Sequence, residues 1–116
     1  MKKSGCVFCR MESIKADVYY QGSSCIYFTP LNPIVEGHLL VVNTNHSEDF
    51  TDKTMLFAET AKAAADIAKR IGGDFNLITS KGSSATQTVF HCHIHLVPRR
   101  EGDGLLLPWT NQEANE

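Results

Sequence analysis

The sequence has no excess of basic residues and no long apolar run. Its 116 residues include 11 Lys and Arg against 13 Asp and Glu, so the formal net charge is −2 at pH 7. Proteins that bind nucleic-acid polymers carry a basic surface, which this composition does not favour. The apolar run at residues 39–42 is far shorter than the roughly 20 residues that span a bilayer. We therefore expect neither a nucleic-acid polymer nor a membrane as a partner.

A secretory signal is also missing, because the N-terminus leads into no extended apolar segment. The expected location is therefore the cytoplasm, where the four cysteines would serve as metal ligands or free thiols rather than form disulfides. Hydrophobic residues make up 42% and charged residues 21%, which is ordinary for a globular protein. We expect a single domain, residues 1–116, with a core of its own.

The most informative stretch is residues 88–99, T-V-F-H-C-H-I-H-L-V-P-R, in which histidines alternate with apolar residues. A period of two is that of a β-strand, whereas a helix would scatter these side chains around its axis. As one strand, this stretch places His91, His93 and His95 on one face, and Pro98, which has no N–H, should end regular pairing. The opposite face should lie on the core and consists of Phe90, Cys92, Ile94 and Leu96. The pattern suits a catalytic site for phosphate, a metal site, or a surface strand that is merely rich in histidine.

A C-x-x-C pattern, Cys6 and Cys9, lies close to the N-terminus. It could be half of a zinc site, a redox pair, or a coincidence. Zinc is the favoured interpretation, because a redox motif normally opens a helix after a strand and only five residues precede this one. His38 precedes the apolar strand at 39–42 and His46 lies in the polar turn after it, so either could also be a purely structural histidine.

The remaining patterns predict four further strands and one long helix. The strands lie at 17–20 and 25–28, which form a hairpin, at 39–42 and at 74–79. The helix covers 51–71, with Thr51 as N-cap, Asp52 in its first turn, and Gly72 and Gly73 as its stop. Its apolar stripe consists of Leu56, Phe57, Thr60, Ala61, Ala64, Ile67, Ala68 and Ile71. Residues 29–33 and 80–87 are predicted loops, the apolar tail at 105–109 should pack on the core or on a partner subunit, and residues 111–116 should be frayed.

Residues 87–99 resemble the signature of the histidine triad (HIT) family of nucleotide hydrolases and transferases. The segment from Gly37 to His46 resembles the family's strand that ends in a polar turn and a histidine, and the C-x-x-C resembles its zinc-binding subset. The resemblance covers nearly the whole chain. It implies an α+β fold, with an antiparallel β-sheet, one long helix and a short N-terminal helix, assembled as a two-fold homodimer.

The same resemblance implies a function. Such a protein would cleave P–N or P–O bonds at the α-phosphate of nucleoside phosphate derivatives, such as AMP amidates, through a phosphohistidine intermediate, with a purine nucleotide as substrate. Two alternatives stay open. One is a hydrolase or phosphorylase of dinucleoside polyphosphates, and the other is a nucleotide-binding, zinc-stabilised interaction module with little turnover.

Carried over onto this sequence, the resemblance assigns roles to particular residues. His93 would be the nucleophile, with His38 and His95 around the phosphate. The nucleotide and its phosphate would be bound by Asn32, Ser80, Gln87 and Thr88. A structural zinc ion would be held by Cys6, Cys9, His46 and His91, a donor set that satisfies tetrahedral zinc.

The sequence departs from the family pattern at three positions. Pro30 stands where many members have an acidic residue, or an Asn, that holds the ribose hydroxyls. Ser80 stands where an Asn or Gln is frequent, and Thr86 where a glycine often precedes the glutamine. These departures concern nucleoside specificity more than the chemistry at phosphorus.

Overall fold

A computed structural model describes residues 2–110, which form a five-stranded antiparallel sheet with one long helix. The elements in chain order are a single 3-10 turn at Met11–Ser13, β1 (Tyr19–Gln21), β2 (Cys25–Phe28), β3 (Leu39–Asn43), α1 (Thr54–Ile71), β4 (Asp74–Ile78), a second 3-10 turn at Ser83–Ala85, and β5 (His93–Arg99). The strand order is β1-β2-β3-β5-β4 and every neighbouring pair is antiparallel. The predicted α+β fold is confirmed, and the short N-terminal helix is a 3-10 turn. Within residues 2–110, no helix is long and apolar enough to cross a membrane.

The two faces of the sheet have different cores. One face packs against α1 through buried residues that include Val41, Ile94 and Leu96. On the other face, Leu40 and Val42 of β3 join a separate apolar cluster with Phe8 and Phe28. In the register of β3 and β5, Leu40 pairs with His95 and Val42 pairs with His93. Directly paired residues share a face, so both histidines lie on the face opposite the helix.

The helix begins at Thr54, so the predicted start at residue 51 is wrong, and Thr51 is not its N-cap. The side chain of Asp49 accepts hydrogen bonds from the backbone N–H and the hydroxyl of Thr51, at 2.8 and 2.7 Å. Asp52 accepts the N–H of Glu48 at 2.9 Å and is therefore also part of the preceding turn. These local bonds hold residues 48–52 in a turn, because Asp and Thr side chains compete with helical hydrogen bonding.

The predicted apolar stripe of α1 matches the structure in the middle of the helix but not at its C-terminal end. Thr60, Ala64 and Ile67 are buried against the sheet, whereas Ile71 is 55% exposed. Ile71 is the last helical residue, and it lies outside the buried cluster that packs α1 on the sheet. The predicted stop is confirmed, since Gly72 ends the helix with its N–H bonded to the carbonyl of Ala68 at 2.8 Å.

Strand β5 begins at His93, so the predicted strand start at residue 88 is wrong. The carbonyl of Asn43, where β3 ends, accepts a hydrogen bond from the ring of His91 at 2.8 Å. The neighbouring N–H of Cys92 donates to Ser47 in the turn after β3, at 2.7 Å. His91 therefore lies before the strand, although its ring, like that of His93, contacts Phe8 on the sheet face away from α1. Phe90 is 45% exposed rather than in the core.

Pro98 does not end the strand, contrary to the prediction, and it pairs with Phe75 of β4. Strand β3 pairs with β5 only as far as Leu96, so no partner on that side requires an N–H from Pro98. The chain then turns through a bidentate pair in which Arg99 donates to Asp103 at 2.8 and 3.1 Å. In the tail, Leu105 and Leu107 are half-buried, and Leu106 and Trp109 are exposed. The prediction of a frayed end at 111–116 lies outside the described residues.

Candidate active site and metal centre

Two cysteines and two histidines from separate segments converge on one point. Their ligand atoms all lie within 4.8 Å of one another and belong to Cys6, Cys9, His46 and His91. Nδ1 of His91 lies 3.3 Å from Sγ of Cys6, and Nδ1 of His46 lies 3.3 Å from Sγ of Cys9. Two donors bound to one tetrahedral zinc ion would be about 3.6 Å apart, given metal–sulfur and metal–nitrogen bonds near 2.3 and 2.0 Å. The four predicted ligands are therefore brought together.

The outer nitrogens of both rings are bound by protein groups, which leaves the inner nitrogens for a metal. Nε2–H of His91 donates to the carbonyl of Asn43 at 2.8 Å, and Nε2–H of His46 donates to the carboxylate of Glu48 at 2.5 Å. This is the usual arrangement around metal-binding histidines, because the second hydrogen bond fixes the tautomer. Burial lowers the pKa of His91 to about 4, which keeps its ring in the neutral form that binds metal. The donor set thus fits a structural zinc ion.

The thiols would have to lose their protons when the metal binds. Burial raises the pKa of the Cys6 thiol, so this side chain is not a thiolate by itself at neutral pH. A bound cation reverses that preference, because coordination deprotonates a thiol. Sγ of Cys9 also accepts the backbone N–H of Lys3 at 3.3 Å, which helps to hold the Cys9 side chain at the metal centre.

His93 is held in one tautomer by the backbone. Its Nδ1–H donates to the carbonyl of His91 at 2.7 Å. The other ring nitrogen, Nε2, therefore carries the lone pair in the neutral ring. Burial lowers the pKa of His93, with an opposing effect of the hydrogen bond to His91, so the neutral form dominates at pH 7. A neutral imidazole with an available lone pair is a competent nucleophile.

His38 and His95 form a hydrogen-bonded pair beside His93. The N–H of Ile34 donates to Nδ1 of His38 at 3.2 Å, so the proton of His38 is on Nε2, which donates to Nδ1 of His95 at 2.9 Å. His95 then carries its own proton on Nε2. Burial, followed by the nearby His93 and His38, lowers the pKa of His95 to about 4. The pair is neutral and can present one N–H to a ligand.

A cavity of about 660 Å³ opens at these histidines. His93, His95 and Thr88 are among its polar lining, and most of the remaining wall is apolar. No carboxylate of the described residues lines it, and Pro30 occupies the position discussed above. Its full lining is Val7, Phe8, Ser13, Ile14, Lys15, Ala16, Phe28, Thr29, Pro30, Leu31, Leu40, Thr86, Thr88, Val89, His93 and His95. An apolar cleft with a few convergent polar groups is typical of a small-molecule site.

The four predicted nucleotide-binding residues lie in different settings. Thr88 lines the cavity, whereas Asn32 and Ser80 are outside its lining. Gln87 is buried and its side chain bonds within the protein, to the N–H of Gly82 and to the carbonyls of Glu48 and Val89. These bonds make Gln87 a support of the loop before β5.

Thr86, the residue that replaces a frequent glycine, has a left-handed backbone with φ 71°. A β-branched residue is strained in this conformation. Thr86 also lines the cavity, where its side chain takes up room that a glycine would leave open.

Sequence reasoning missed three residues that act at these sites. Phe8 lies between the two cysteines and its ring contacts those of His91 and His93. Glu48 and Asn43 bind the outer nitrogens of the metal-site histidines. Glu48 could have been found from its spacing two residues after His46, but the carbonyl of Asn43 leaves no signal in a sequence.

Comparisons with known proteins agree with this geometry. The family profile described as HIT domain matches residues 11–102. An uncharacterised HIT-like protein of Methanocaldococcus jannaschii is 36% identical over 106 residues, which cover 85% of this chain and 82% of the relative. The adenosine 5′-monophosphoramidase of Saccharomyces cerevisiae is 30% identical over an alignment of 122 residues, gaps included. The alignment covers 97% of this chain and 74% of the relative.

A solved structure of a zinc-bound protein has a similar fold. The zinc-bound histidine triad family protein of Mycobacterium smegmatis is 33% identical, with a TM-score of 0.79 over 88% of this chain and 80% of that one. The fold of this chain is therefore shared with a family member that binds zinc. The chain belongs to the HIT domain family, and its relatives in that family include a nucleotide hydrolase.

Proposed function

We propose that this protein cleaves P–N or P–O bonds at the α-phosphate of nucleoside phosphate derivatives, with adenosine 5′-phosphoramidates as the preferred class. The observation that carries the proposal is the tautomer of His93. Its Nδ1–H is bound to the carbonyl of His91, and its ring borders the cavity with a free lone pair on Nε2. The name of the yeast relative supports the choice of substrate class.

In the first step, Nε2 of His93 forms a bond to phosphorus as the bond to the leaving group breaks. The anionic phosphate raises the proton affinity of the neighbouring His38–His95 pair, so the pair takes up one proton when the substrate binds. It gives that proton to the leaving nitrogen or oxygen. Nδ1 of His93 keeps its own proton, which stabilises the positive charge of the phosphorylated ring through the carbonyl of His91.

In the second step, water attacks phosphorus and breaks the bond to His93. The proton of that water returns to the His38–His95 pair, so the nucleoside monophosphate leaves and the starting state is restored. Splitting one displacement into two lowers the barrier of each. An alcohol or phosphate in place of water would make the same protein a transferase.

The equatorial oxygens of the phosphate require hydrogen-bond donors. The proposed donors are Thr88, which lines the cavity, and the backbone of the loop that Gln87 supports. Asn32 and Ser80 are proposed contacts for parts of the nucleotide that extend past the cavity. A purine base would lie against the apolar wall formed by Phe28, Leu31 and their neighbours.

Cys6, Cys9, His46 and His91 would hold a zinc ion whose role is structural. Such an ion contributes folding free energy, and it would join the N-terminal segment to the turn after β3 and to the segment before β5. The displacement at phosphorus uses only side chains and backbone of the protein.

The proposed assembly is a homodimer in the cytoplasm. All four cysteines are free, which suits a reducing compartment. Apolar residues near one edge of the sheet, Ile71, Leu77 and Ile78, are exposed by 55, 47 and 37%. Exposed apolar groups beside an open strand edge are typical of a surface that another chain covers.

A substrate panel tests the activity. The protein is incubated separately with an adenosine 5′-phosphoramidate and with diadenosine polyphosphates, and released AMP and ADP are measured. We expect the phosphoramidate to give the higher kcat/KM. Faster release of ADP or AMP from the dinucleotides would identify the polyphosphate hydrolase or phosphorylase instead, and binding of AMP without turnover of either would identify a binding module.

The covalent step is tested by intact-protein mass spectrometry after an acid-free quench with a slow substrate. Wild-type protein should carry a nucleotidyl adduct, and His93→Ala should carry none and lose several orders of magnitude in kcat. His95→Ala, which keeps the nucleophile, should give a partial loss. An adduct that persists in His93→Ala would assign the nucleophile to another residue.

A further inference from the structure

The segment between the two cysteines is a wall shared by the metal centre and the cavity. Val7 and Phe8 lie between the ligands Cys6 and Cys9, and both line the cavity that His93 borders. Phe8 is 9% exposed and packs in the apolar cluster on this face of the sheet. The same four-residue loop thus supplies two metal donors and part of the substrate site.

The ring of Phe8 contacts the ring of His93 edge-on. The two ring centroids are 5.3 Å apart and the ring planes make an angle of 79°. Phe8 is held from its other sides by His91, at 5.9 Å, and by Phe28, at 5.7 Å. Edge-to-face contacts in this distance range are favourable and directional, so the position of Phe8 restricts rotation of the His93 ring.

A second group that orients His93 belongs to one of the metal ligands themselves. Nδ1–H of His93 donates to the backbone carbonyl of His91, whose ring faces the metal centre. Two constraints on the His93 ring, the edge contact with Phe8 and the hydrogen bond to His91, therefore come from the segments that would bind zinc, whereas a third, the edge contact with His95 at 5.3 Å, lies within β5. We propose that metal binding positions His93 for attack through Phe8 and His91, and that Phe8 is a positioning residue of the reaction.

Apart from the packing of Phe8 in the apolar cluster, only weak polar contacts fix this segment on the sheet. Among residues 2–9, the backbone–backbone hydrogen bonds are local, and the one in this stretch joins Cys6 to Lys3. The long-range polar contacts of its lysines are made by exposed side chains, Lys2 to Thr44 and Lys3 to Glu48. Such exposed contacts contribute little to stability. A bound metal would be the strongest polar link between this segment and the sheet, so its removal should loosen the position of the Phe8 ring within the apolar cluster.

The first test compares zinc-loaded and metal-free wild-type protein by long-range ¹H–¹⁵N NMR of labelled histidines, with His93→Ala used to assign the His93 signals. In loaded protein, His93 should show a single Nδ1–H tautomer. In metal-free protein, its signals should broaden or shift towards a mixture of tautomers, while backbone amide signals of β3 and β5 persist. Unchanged His93 signals in folded metal-free protein would overturn the proposal. This readout needs no substrate, so it stands apart from the proposed activity.

The second test keeps the metal in place and covers the case in which metal-free protein does not fold. Phe8→Leu removes the ring edge and keeps an apolar side chain, and Phe50→Leu is the matched control, because the ring of Phe50 packs on Phe57 at 5.7 Å outside the cavity. Phe8→Leu should retain one zinc ion per chain, lower kcat more than tenfold with a smaller change in KM, and disturb the His93 signals.

Phe50→Leu should lower thermal stability but leave kcat, KM and the His93 signals unchanged. The kinetic part of the second test rests on the proposed function. If wild-type protein showed no turnover, that result would count against the proposed function. The NMR comparison would still test whether Phe8 and the metal position His93. A rise in KM with unchanged kcat and unchanged His93 signals in Phe8→Leu would show that Phe8 only lines the cavity.

Discussion

Backbone groups decide which nitrogen of each active-site histidine carries the proton. The carbonyl of His91 accepts from Nδ1 of His93, whereas the N–H of Ile34 donates to Nδ1 of His38. The same side chain thus has opposite tautomers at two neighbouring positions. A nucleophile needs the lone pair on its outer nitrogen and a proton donor needs the hydrogen there, so this difference separates the two roles.

The pH dependence of kcat/KM follows from these environments. Burial lowers the pKa of His93 and, together with the neighbouring rings, lowers that of His95 to about 4 from the ordinary 6.5. A lowered pKa keeps each ring neutral at pH values where a free imidazole is protonated. In the proposed mechanism the reacting complex holds one proton more than free protein and free substrate do at neutral pH. With a substrate that does not titrate in this range, kcat/KM should therefore rise about tenfold per pH unit as the pH falls from 8 to about 6. An acidic limb with its midpoint at or above about 6.5 would contradict this arrangement.

Pro30 is expected to set how the sugar of a nucleotide is bound. It lines the cavity with a side chain that has no hydrogen-bonding group, and no carboxylate of the described residues lines the cavity in its place. A hydrogen bond to a charged group contributes about 1.5–3 kcal/mol, which corresponds to roughly tenfold or more in affinity. We therefore expect wild-type protein to discriminate between ribo- and deoxyribonucleotide substrates by less than about tenfold in kcat/KM.

Pro30→Asp should raise this discrimination above about tenfold by lowering the KM of the ribonucleotide. Pro33→Asp, at an exposed position outside the cavity lining, is the matched control and should leave the ratio unchanged. A wild-type preference already above tenfold would mean that another group, such as Asn32, binds the hydroxyls.

At the scale of elements, the sequence predicts the features that depend on residues close together in the chain. The alternation of histidine and apolar residues identifies β5 and the side chains that face the core, since Ile94 and Leu96 are buried against α1. The alternation does not locate the start of the strand. The reason is that the ring of His91 hydrogen-bonds to the carbonyl of Asn43, which lies 48 residues earlier in the chain. The start of α1 was misplaced for a related reason, since the Asp49 side chain binds Thr51 and delays the helix.

The metal centre shows the same limit. Spacing indicated that Cys6 and Cys9 could bind zinc but left redox chemistry and coincidence open, and it gave no partner for them. His46 and His91 are assigned as ligands only through the family resemblance. The C-x-x-C loop, the turn after β3 and the segment before β5 come together only when the sheet has formed, and residue spacing does not show this. The role inferred for Phe8 depends on a ring contact, which no spacing rule describes.

The C-x-x-C loop is expected to make stability depend on a bound metal. Cys9 is buried beside His46 and His91, so Cys9→Ser should reduce zinc content well below the one ion per chain expected of wild type, with a lower midpoint of thermal unfolding. Cys25→Ser is the control, because Cys25 is equally buried but lies in the core under α1. It should lower stability without changing the zinc content. Full zinc content in Cys9→Ser by elemental analysis would remove Cys9 from the ligand set.

At the scale of the whole molecule, the sheet ends in two unlike edges. Strand β1 is three residues long and is paired only with β2, whereas β4, at the other edge, is five residues long. Near β4 the exposed apolar side chains are those of Leu77, Ile78 and Ile71 at the end of α1. Long apolar edges template pairing with another chain, and native proteins protect the edges that they leave open. The edge at β4 is therefore the expected contact between two copies.

Leu77→Lys tests this contact, because a charge buried in a two-fold interface meets its own copy across the axis or loses its hydration. Light scattering coupled to size exclusion should give twice the chain mass for wild type and the mass of a single chain for the variant. Tyr20→Lys, at an exposed position of the opposite edge, should keep the wild-type mass. The metal centre and the cavity lie on the sheet face away from α1, so zinc content should remain that of wild type in both variants. A dimer that survives in Leu77→Lys and dissociates in Tyr20→Lys would place the interface at β1 instead.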